Sequence, residues 1–397
     1  MRKDVWLDEG AGDLADLRAL IARGTTPRDA PRAVEIVADV PVYDAERVER
    51  DDPGEVMAEW ARVLLDGPGV LAVRGAVRDR TLLDEVTDVL LGLLDAESGA
   101  HSGADHFGGH GANGRVWNAH EKLAVAAPDL FCRYNDCPTV DLAATAWLGP
   151  AYQITTQVNL VRPGGRAQTG HRDYHMGFMP AARAVLWPAH AHPMSAMLTL
   201  QGAIAHTDMP AASGPTKLLP HSQHWREGYL AIQRDEVRAA FEESFVQVPL
   251  EAGDALFFSP ALFHAAGDND TTDHPRLANL MQIGSAFGRT LEVVDRDRIV
   301  RAIYPALLAR RDALGEAGVG RVVAAAAEVY PFPTDLDRDP PENGLAPPSQ
   351  ADVLRDALRE GWDEARLHAA LDAHAARRSP GAAVAPIARA GRDRHAA

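Results

Sequence analysis

The sequence predicts a mainly β core of jelly-roll type with helices on either side of it in the chain. Three observations point there. From Tyr152 onward, short apolar or alternating runs are separated by turn residues, the texture of an all-β sandwich or barrel. Before Val70 and after Arg289 apolar residues recur instead at helical spacing. The 397 residues, 46% of them apolar, suffice for one large core or two modest ones.

Taken in order, Asp52-Pro53-Gly54 opens the segment EVMAEWARVLL, whose apolar residues fall on one helical face until Asp66-Gly67-Pro68-Gly69 stops it. VLAVRG follows as a short β-branched strand. Asp79 is placed to cap the next helix, TLLDEVTDVLLGLL, after which a Gly/His-rich loop from Ser98 to Gly114 is long enough to be a lid or simply mobile. The expected strands are YQITTQVNLVRP, AMLTLQGAIAH, TKLLPHS, FVQVPL, ALFFSP and LANLMQIGSAF. Helices then return as RDRIVRAIYPALLARRDAL and ADVLRDALREGWDEARLHAALDAHAARR, joined by the Pro-rich FPTDLDRDPPENGLAPP. The expected organisation is a helical extension over 1–69, the β domain over 70–289, a second helical extension over 290–380, and an Ala/Arg-rich disordered tail over 381–397. The extensions would shape the pocket or build a homodimer interface, and the sequence leaves that choice open.

The formal charge of −16 disfavours phosphate backbones and anionic lipid as partners, so no nucleic acid and no membrane are expected. The two cysteines, Cys132 and Cys137, are too few for a disulfide framework and have no second pair at zinc-finger spacing, so they read as reduced thiols. The first twenty residues lack an apolar h-region, and no uncharged apolar run of about 18 residues occurs. A cytoplasmic setting is the resulting expectation.

The chemistry is concentrated in GHRDYH. In an extended strand His171 and Asp173 point to one face, so they can grip one ion together. His264, from FFSPALFHAAGDN, is the candidate third ligand. Two histidines and one carboxylate on one face of an octahedron leave three positions open, which suits non-haem Fe(II) activating O2. Yet His-x-Asp is a weak signal among sixteen histidines, and His206-Thr207-Asp208 repeats it 58 residues before His264. Tyr174, His175, Met176 and Phe178 follow the ligands directly and Trp187 is near, so they could wall a substrate pocket, Tyr174 and His175 foremost. His101, His106 and His110 cluster in the Gly-rich loop without a carboxylate or cysteine to complete a second metal site.

An ordered series of segments from Val70 to Phe287 resembles the phytanoyl-CoA dioxygenase family, which includes ectoine hydroxylase. GPGVLAVRGAV is similar to the family's early strand, and QVNLVRPGGRAQTGHRDYH to the strand leading into its metal motif. SGPTKLLPHSQHW resembles the block before its distal histidine, and GDALFFSPALFHAAGDNDTTDHPR resembles that histidine and the arginine beyond it. The resemblance implies a double-stranded β-helix, cupin-like, with His171, Asp173 and His264 on Fe(II) and His206 off the metal. It also implies that Arg276, twelve residues after His264, takes the far carboxylate of 2-oxoglutarate, a task suited to a guanidinium fork. Asn159 is a second co-substrate contact by the same resemblance. The implied reaction is hydroxylation of a small molecule, a secondary metabolite or amino acid derivative, coupled to decarboxylation of 2-oxoglutarate to succinate and CO2. Family halogenases lack the metal carboxylate, so Asp173 favours hydroxylation or a related oxidation. A fatty acyl-CoA hydroxylase of the phytanoyl type and a non-catalytic jelly-roll binding protein are the alternatives.

Overall fold

The computed structural model describes residues 5–98, 113–341 and 343–379. Ten strands occur among them: β1 (Glu35–Val37), β2 (Val40–Asp44), β3 (Val70–Arg74), β4 (Asn113–Val116), β5 (Tyr152–Val161), β6 (Thr199–Ala205), β7 (Lys217–Leu219), β8 (Ala255–Phe258), β9 (Phe263–Ala265) and β10 (Arg276–Ser285). Eight of them form one sheet in the order β1-β2-β3-β8-β6-β10-β5-β4. The other two, β7 and β9, pair as a small sheet, which isolated bridges extend on both sides, His171 to His264 and Leu218 to Val246. The result is a jelly-roll core with helical flanks.

Strand periodicity explains how the two sheets meet. Val70 and Ala72 of β3 and Leu256 and Phe258 of β8 pack inward with Leu218 of the small sheet. Their neighbours Leu71, Val73, Ala255 and Phe257 point outward into the helices. β10 follows the same rule: Leu277, Met281 and Ile283 join the outer core, while Arg276, Ala278, Leu280 and Gln282 face a cavity between the sheets. That cavity of about 1100 Å³, mouth included, is where this fold can hold a ligand.

The outer layer is built by helices at both ends of the chain. The predicted helices appear at Pro53–Leu65 and Arg80–Ser98, the second capped by Asp79, whose carboxylate accepts from Leu82 N–H at 3.0 Å. Leu354, Leu358, Leu367 and Leu371 of the last two helices share one core with Ile154 and Leu160 of β5. Arg296, buried, donates to the Ile154 and Ala325 carbonyls and so ties the helix Arg296–Ala326 to β5.

Several elements differ from the expectation. Residues 35–44 form β1 and β2, which extend the sheet edge beside β3, so the region before Val70 is not purely helical. Helices Ala119–Ala126, Pro128–Asn135 and Pro138–Leu148 carry no long apolar stripe, and two of them start at prolines, which fit the first turn of a helix as well as they end one. FVQVPL joins its neighbours only through bridges at Val246 and Leu250. The final helical pattern divides into Gln350–Glu360 and Glu364–Arg378 because Gly361 adopts φ 65° and ends the first helix. The loop histidines His101, His106 and His110 and the expected tail over 381–397 lie outside the described residues.

One glycine in the SGPTKLLPHSQ block is fixed by geometry. Gly214 has φ 69°, and an added Cβ would stand 2.0 Å from the Asp268 carbonyl oxygen. Gly214→Ala is expected to cost about 2 kcal/mol or more, because left-handed backbone alone costs an L-residue about 1–2 kcal/mol before the clash. Gly320→Ala, inside a helix with nothing within 4 Å of the new methyl, is expected to stabilise. Thermal denaturation of the two variants checks both signs.

Candidate metal centre

His171 lies in a bridge with His264, each backbone N–H donating to the other's carbonyl at 3.0 and 3.1 Å. This pairing brings two residues 93 positions apart onto adjacent chains, and their rings lie 4.6 Å apart. Asp173 is two residues along from His171, so extended backbone turns it to the same side. Arg172 between them points away, donates to the Ser222 and Trp225 carbonyls, and lies over the rings of Tyr229 and Phe263 at 4.9 and 4.7 Å. A buried guanidinium so held anchors the strand that presents the two ligands.

The donor atoms converge. Asp173 carboxylate oxygens stand 3.6 Å from His171 Nε2 and 3.4 Å from His264 Nε2, and all three ligand atoms lie within 4.8 Å of one another. Ligands at right angles on a first-row ion lie about 3 Å apart, so these positions need only a small contraction. His171 Nδ1–H donates to the Thr169 carbonyl at 2.7 Å and His264 Nδ1–H to the Leu262 carbonyl at 2.9 Å. Both imidazoles therefore turn Nε2 toward the carboxylate in the tautomer a metal requires. Gln201 of β6 donates to Asp173 Oδ2 at 2.6 Å, orienting it further. Burial opposes the Asp173 charge, but the His171 and His264 imidazoles, where Nε2 carries a proton in place of a metal, and the Gln201 amide hold the carboxyl below the usual range. Burial lowers the His171 pKa against the pull of Asp173, favouring a neutral ligand. The donor set fits a divalent first-row ion, and it is the only such His/Cys/Asp/Glu group among the described residues.

The second His-x-Asp resolves differently. Thr87 Oγ1–H donates to the Leu83 carbonyl, so His206 Nδ1–H donates to Thr87 Oγ1 at 2.7 Å. His206 Nε2 then accepts from the Tyr134 hydroxyl at 2.9 Å, which leaves no lone pair for a metal. Asp208 accepts from Ala252 N–H instead. Burial pushes the His206 pKa down to about 3, and burial followed by the Arg296 charge does the same to His120. Because these folded-state values lie below the unfolded value of about 6.5, the unfolded chain binds more protons between them. Stability is thus expected to be full above about pH 6.5 and to fall as pH drops toward 3. His206→Phe should blunt that acid loss in urea titrations at stepped pH, whatever it costs in packing.

The co-substrate residues of the sequence reading share the cavity with the metal ligands. Arg276 is buried, donates to the Ser213 carbonyl at 3.0 Å, and has no carboxylate partner among the described residues. Burial lowers its pKa to about 10, so it stays charged at neutral pH. Asn159 pairs in register with Ala278 on β10 and Arg115 on β4, and it lines the same cavity. Phe178 reaches the cavity as well, half exposed at its mouth. Tyr174 and His175 are not among its lining residues: they occupy a turn of positive φ, 62° and 31°, with Tyr174 buried and His175 against Ser195. Met176 packs in a separate apolar cluster with Ala189 and Tyr229.

Sequence reasoning missed Gln157, Gln201 and Gln282, which face the cavity from β5, β6 and β10. The signal was clearest for Gln201, an amide in the otherwise nearly apolar strand β6, and weaker in β5 and β10, which carry several other polar residues. A polar residue on a buried face marks a site more often than an error of packing.

Comparison with known proteins gives one family and several relatives. The family model described as phytanoyl-CoA dioxygenase (PhyH) matches residues 65–278. An "iron/alpha-ketoglutarate-dependent dioxygenase ausU" of Aspergillus calidoustus is 30% identical over 121 residues, 30% of this chain and 34% of that protein. "Dioxygenase trt7" of Aspergillus terreus is 28% identical over 125 residues, 32% of this chain and 38% of that protein. The chain thus spans about a third of the length of the curated relatives it matches. Among solved structures, the epimerase SnoN of nogalamycin biosynthesis aligns at 22% identity with a TM-score of 0.43, covering 59% of this chain and 85% of that one. The carbocyclase SnoK of the same biosynthesis aligns at 20% identity with a TM-score of 0.44, covering 60% and 86%. With the family model matched over more than half of the sequence, the chain belongs to the phytanoyl-CoA dioxygenase family.

Proposed function

We propose that this chain is an Fe(II)- and 2-oxoglutarate-dependent dioxygenase that oxidises a small molecule, with hydroxylation as the reaction. The observation that carries the reading is one cavity holding both His171, Asp173 and His264 and the buried, carboxylate-free guanidinium of Arg276. When bound, iron with 2-oxoglutarate supplies the oxidation: O2 is consumed, the keto acid leaves as succinate and CO2, and one oxygen atom enters a substrate C–H bond. The protein's own part is binding, orientation and exclusion of water. The two imidazoles and Asp173 would hold the ion, with Thr169 and Leu262 fixing the ring orientations. Arg276 would clasp the far carboxylate through its parallel N–H groups, with Asn159 as a second contact. Leu218, Val248, Leu250, Leu256 and Phe258 give the cavity an apolar wall that keeps bulk water from the reacting centre.

The two fungal relatives, both named as dioxygenases, support the same class of chemistry. An acyl-CoA substrate of the phytanoyl type gains less support, because Arg115 and Arg276 are the only Lys or Arg among the described lining residues and coenzyme A carries several phosphates. The reading is tested by supplying Fe(II), 2-oxoglutarate and air and measuring succinate. Conversion that depends on Asp173 is the expected result, and an iron-loaded chain that leaves 2-oxoglutarate intact would refute it.

A further inference from the structure

The cavity has a second polar feature, two glutamines that neither metal nor co-substrate binding uses beside a third, Gln201, that orients Asp173 through one end of its amide only. Gln157, Gln201 and Gln282 are each more than nine-tenths buried, at 2%, 4% and 7% exposure. Gln157 Nε2, Gln201 Oε1 and Gln282 Oε1 have no hydrogen-bond partner among the described residues. For Gln201 the orientation is fixed: Nε2 must donate to Asp173, so Oε1 is an acceptor. Gln282 lies directly across from Gln201 in the β10–β6 register, and Gln157 lies opposite Leu280, one diagonal step away. Long side chains on such neighbours reach a common point. Three orphaned amide atoms in one cavity carry a desolvation cost that a bound polar group would remove.

Their position separates them from the co-substrate end. Gln282 is six residues from Arg276 along β10, about 20 Å of strand, and Gln157, opposite Leu280, lies between Asn159 and that far end of the cavity. Trp117 is one residue beyond the Val116–Val158 pair and so stands beside Gln157, while Phe178 and Leu291 complete an apolar rim at the mouth.

The geometry points to this amide cluster as the recognition site for the primary substrate, and to a neutral, ring-bearing molecule that presents a hydroxyl group as its occupant. This rests on the dioxygenase reading above. A hydroxyl both donates and accepts, so it can donate to Gln201 Oε1 and pair with either end of the Gln157 or Gln282 amide. A carboxylate only accepts, and would face Gln201 Oε1 beside Asp173. An ammonium would bring a second positive charge beside the divalent ion that Asp173 would hold. Apolar rings complement Trp117, Phe178, Leu291, Phe258 and Leu280.

The test uses the full chain loaded anaerobically with Fe(II) and excess 2-oxoglutarate, titrated calorimetrically with the bicyclic alcohol decalol and with decalin carboxylate. Decalol is expected to bind roughly tenfold or more tightly than the carboxylate, and Gln157→Leu and Gln282→Leu each to weaken decalol roughly tenfold. Both variants should keep the visible absorption band of the iron–keto acid chelate, which shows that they fold and load. Gln157→Glu, which keeps the shape but adds a charge, should lose decalol in the same way. Equal binding of alcohol and carboxylate, absence of decalol binding to the parent chain, or unchanged affinity in the glutamine variants would overturn the subsite while the band stays. A parent chain without the band would instead bring down the metal reading, and this inference with it.

Discussion

Asp173→Ala is expected to abolish iron binding and all 2-oxoglutarate turnover. The carboxylate supplies the only anionic donor of the cluster, and it faces both Nε2 atoms at 3.4 and 3.6 Å. Without it, two imidazoles and a cavity with an apolar wall remain, a poor host for a divalent cation. The loss should exceed the roughly 10–100-fold that removal of an outer-shell partner costs, which is the effect expected for Gln201→Leu. His171→Ala and His264→Ala should behave like Asp173→Ala. Equilibrium dialysis with Fe(II), read alongside succinate release, separates loss of metal from loss of fold when circular dichroism is unchanged. Asp173→Ala retaining iron at the affinity of the parent chain would remove the carboxylate from the ligand set.

Arg276→Leu is expected to weaken 2-oxoglutarate by about a hundredfold or more with iron affinity nearly unchanged. Each hydrogen bond to a charged group contributes about 1.5–3 kcal/mol, and a guanidinium can make two to one carboxylate. A loss of about 3 kcal/mol is therefore a conservative figure, and 1.4 kcal/mol corresponds to tenfold in affinity. Arg276→Lys keeps the charge but not the fork, so it should recover only part of the loss. Titration of the iron-loaded variants with 2-oxoglutarate measures both. Since Arg276 is buried and also donates to the Ser213 carbonyl, the melting temperature of each variant must be recorded beside its affinity.

What could be read from the sequence was whatever depends on local periodicity. Val70–Arg74, Tyr152–Val161 and Arg276–Ser285 alternate or run apolar over enough residues to be recognised as strands, and the same period of two puts His171 and Asp173 on one face. The order of segments, once its resemblance was seen, also pointed to His264 and Arg276. What could not be read depends on contacts between distant residues. His206 is ruled out as a ligand by Thr87 and Tyr134, which lie 119 and 72 residues away in the chain. β1 has only three residues and pairs with β2 alone, while β2 contains Pro41 and pairs with the edge that β3 offers. The wall expected from Tyr174 and His175 depended on proximity in sequence alone. The turn at positive φ sends Phe178 to the cavity mouth and leaves those two outside its lining.

The most direct measurement is the visible absorption band that forms when Fe(II) and 2-oxoglutarate are added anaerobically to the protein. It requires the metal, the keto acid and the open coordination positions at once. The band should appear in the parent chain and in His206→Ala, and should be absent from His264→Ala. A band that survives in His264→Ala, or that disappears only in His206→Ala, would contradict the assignment of the metal centre.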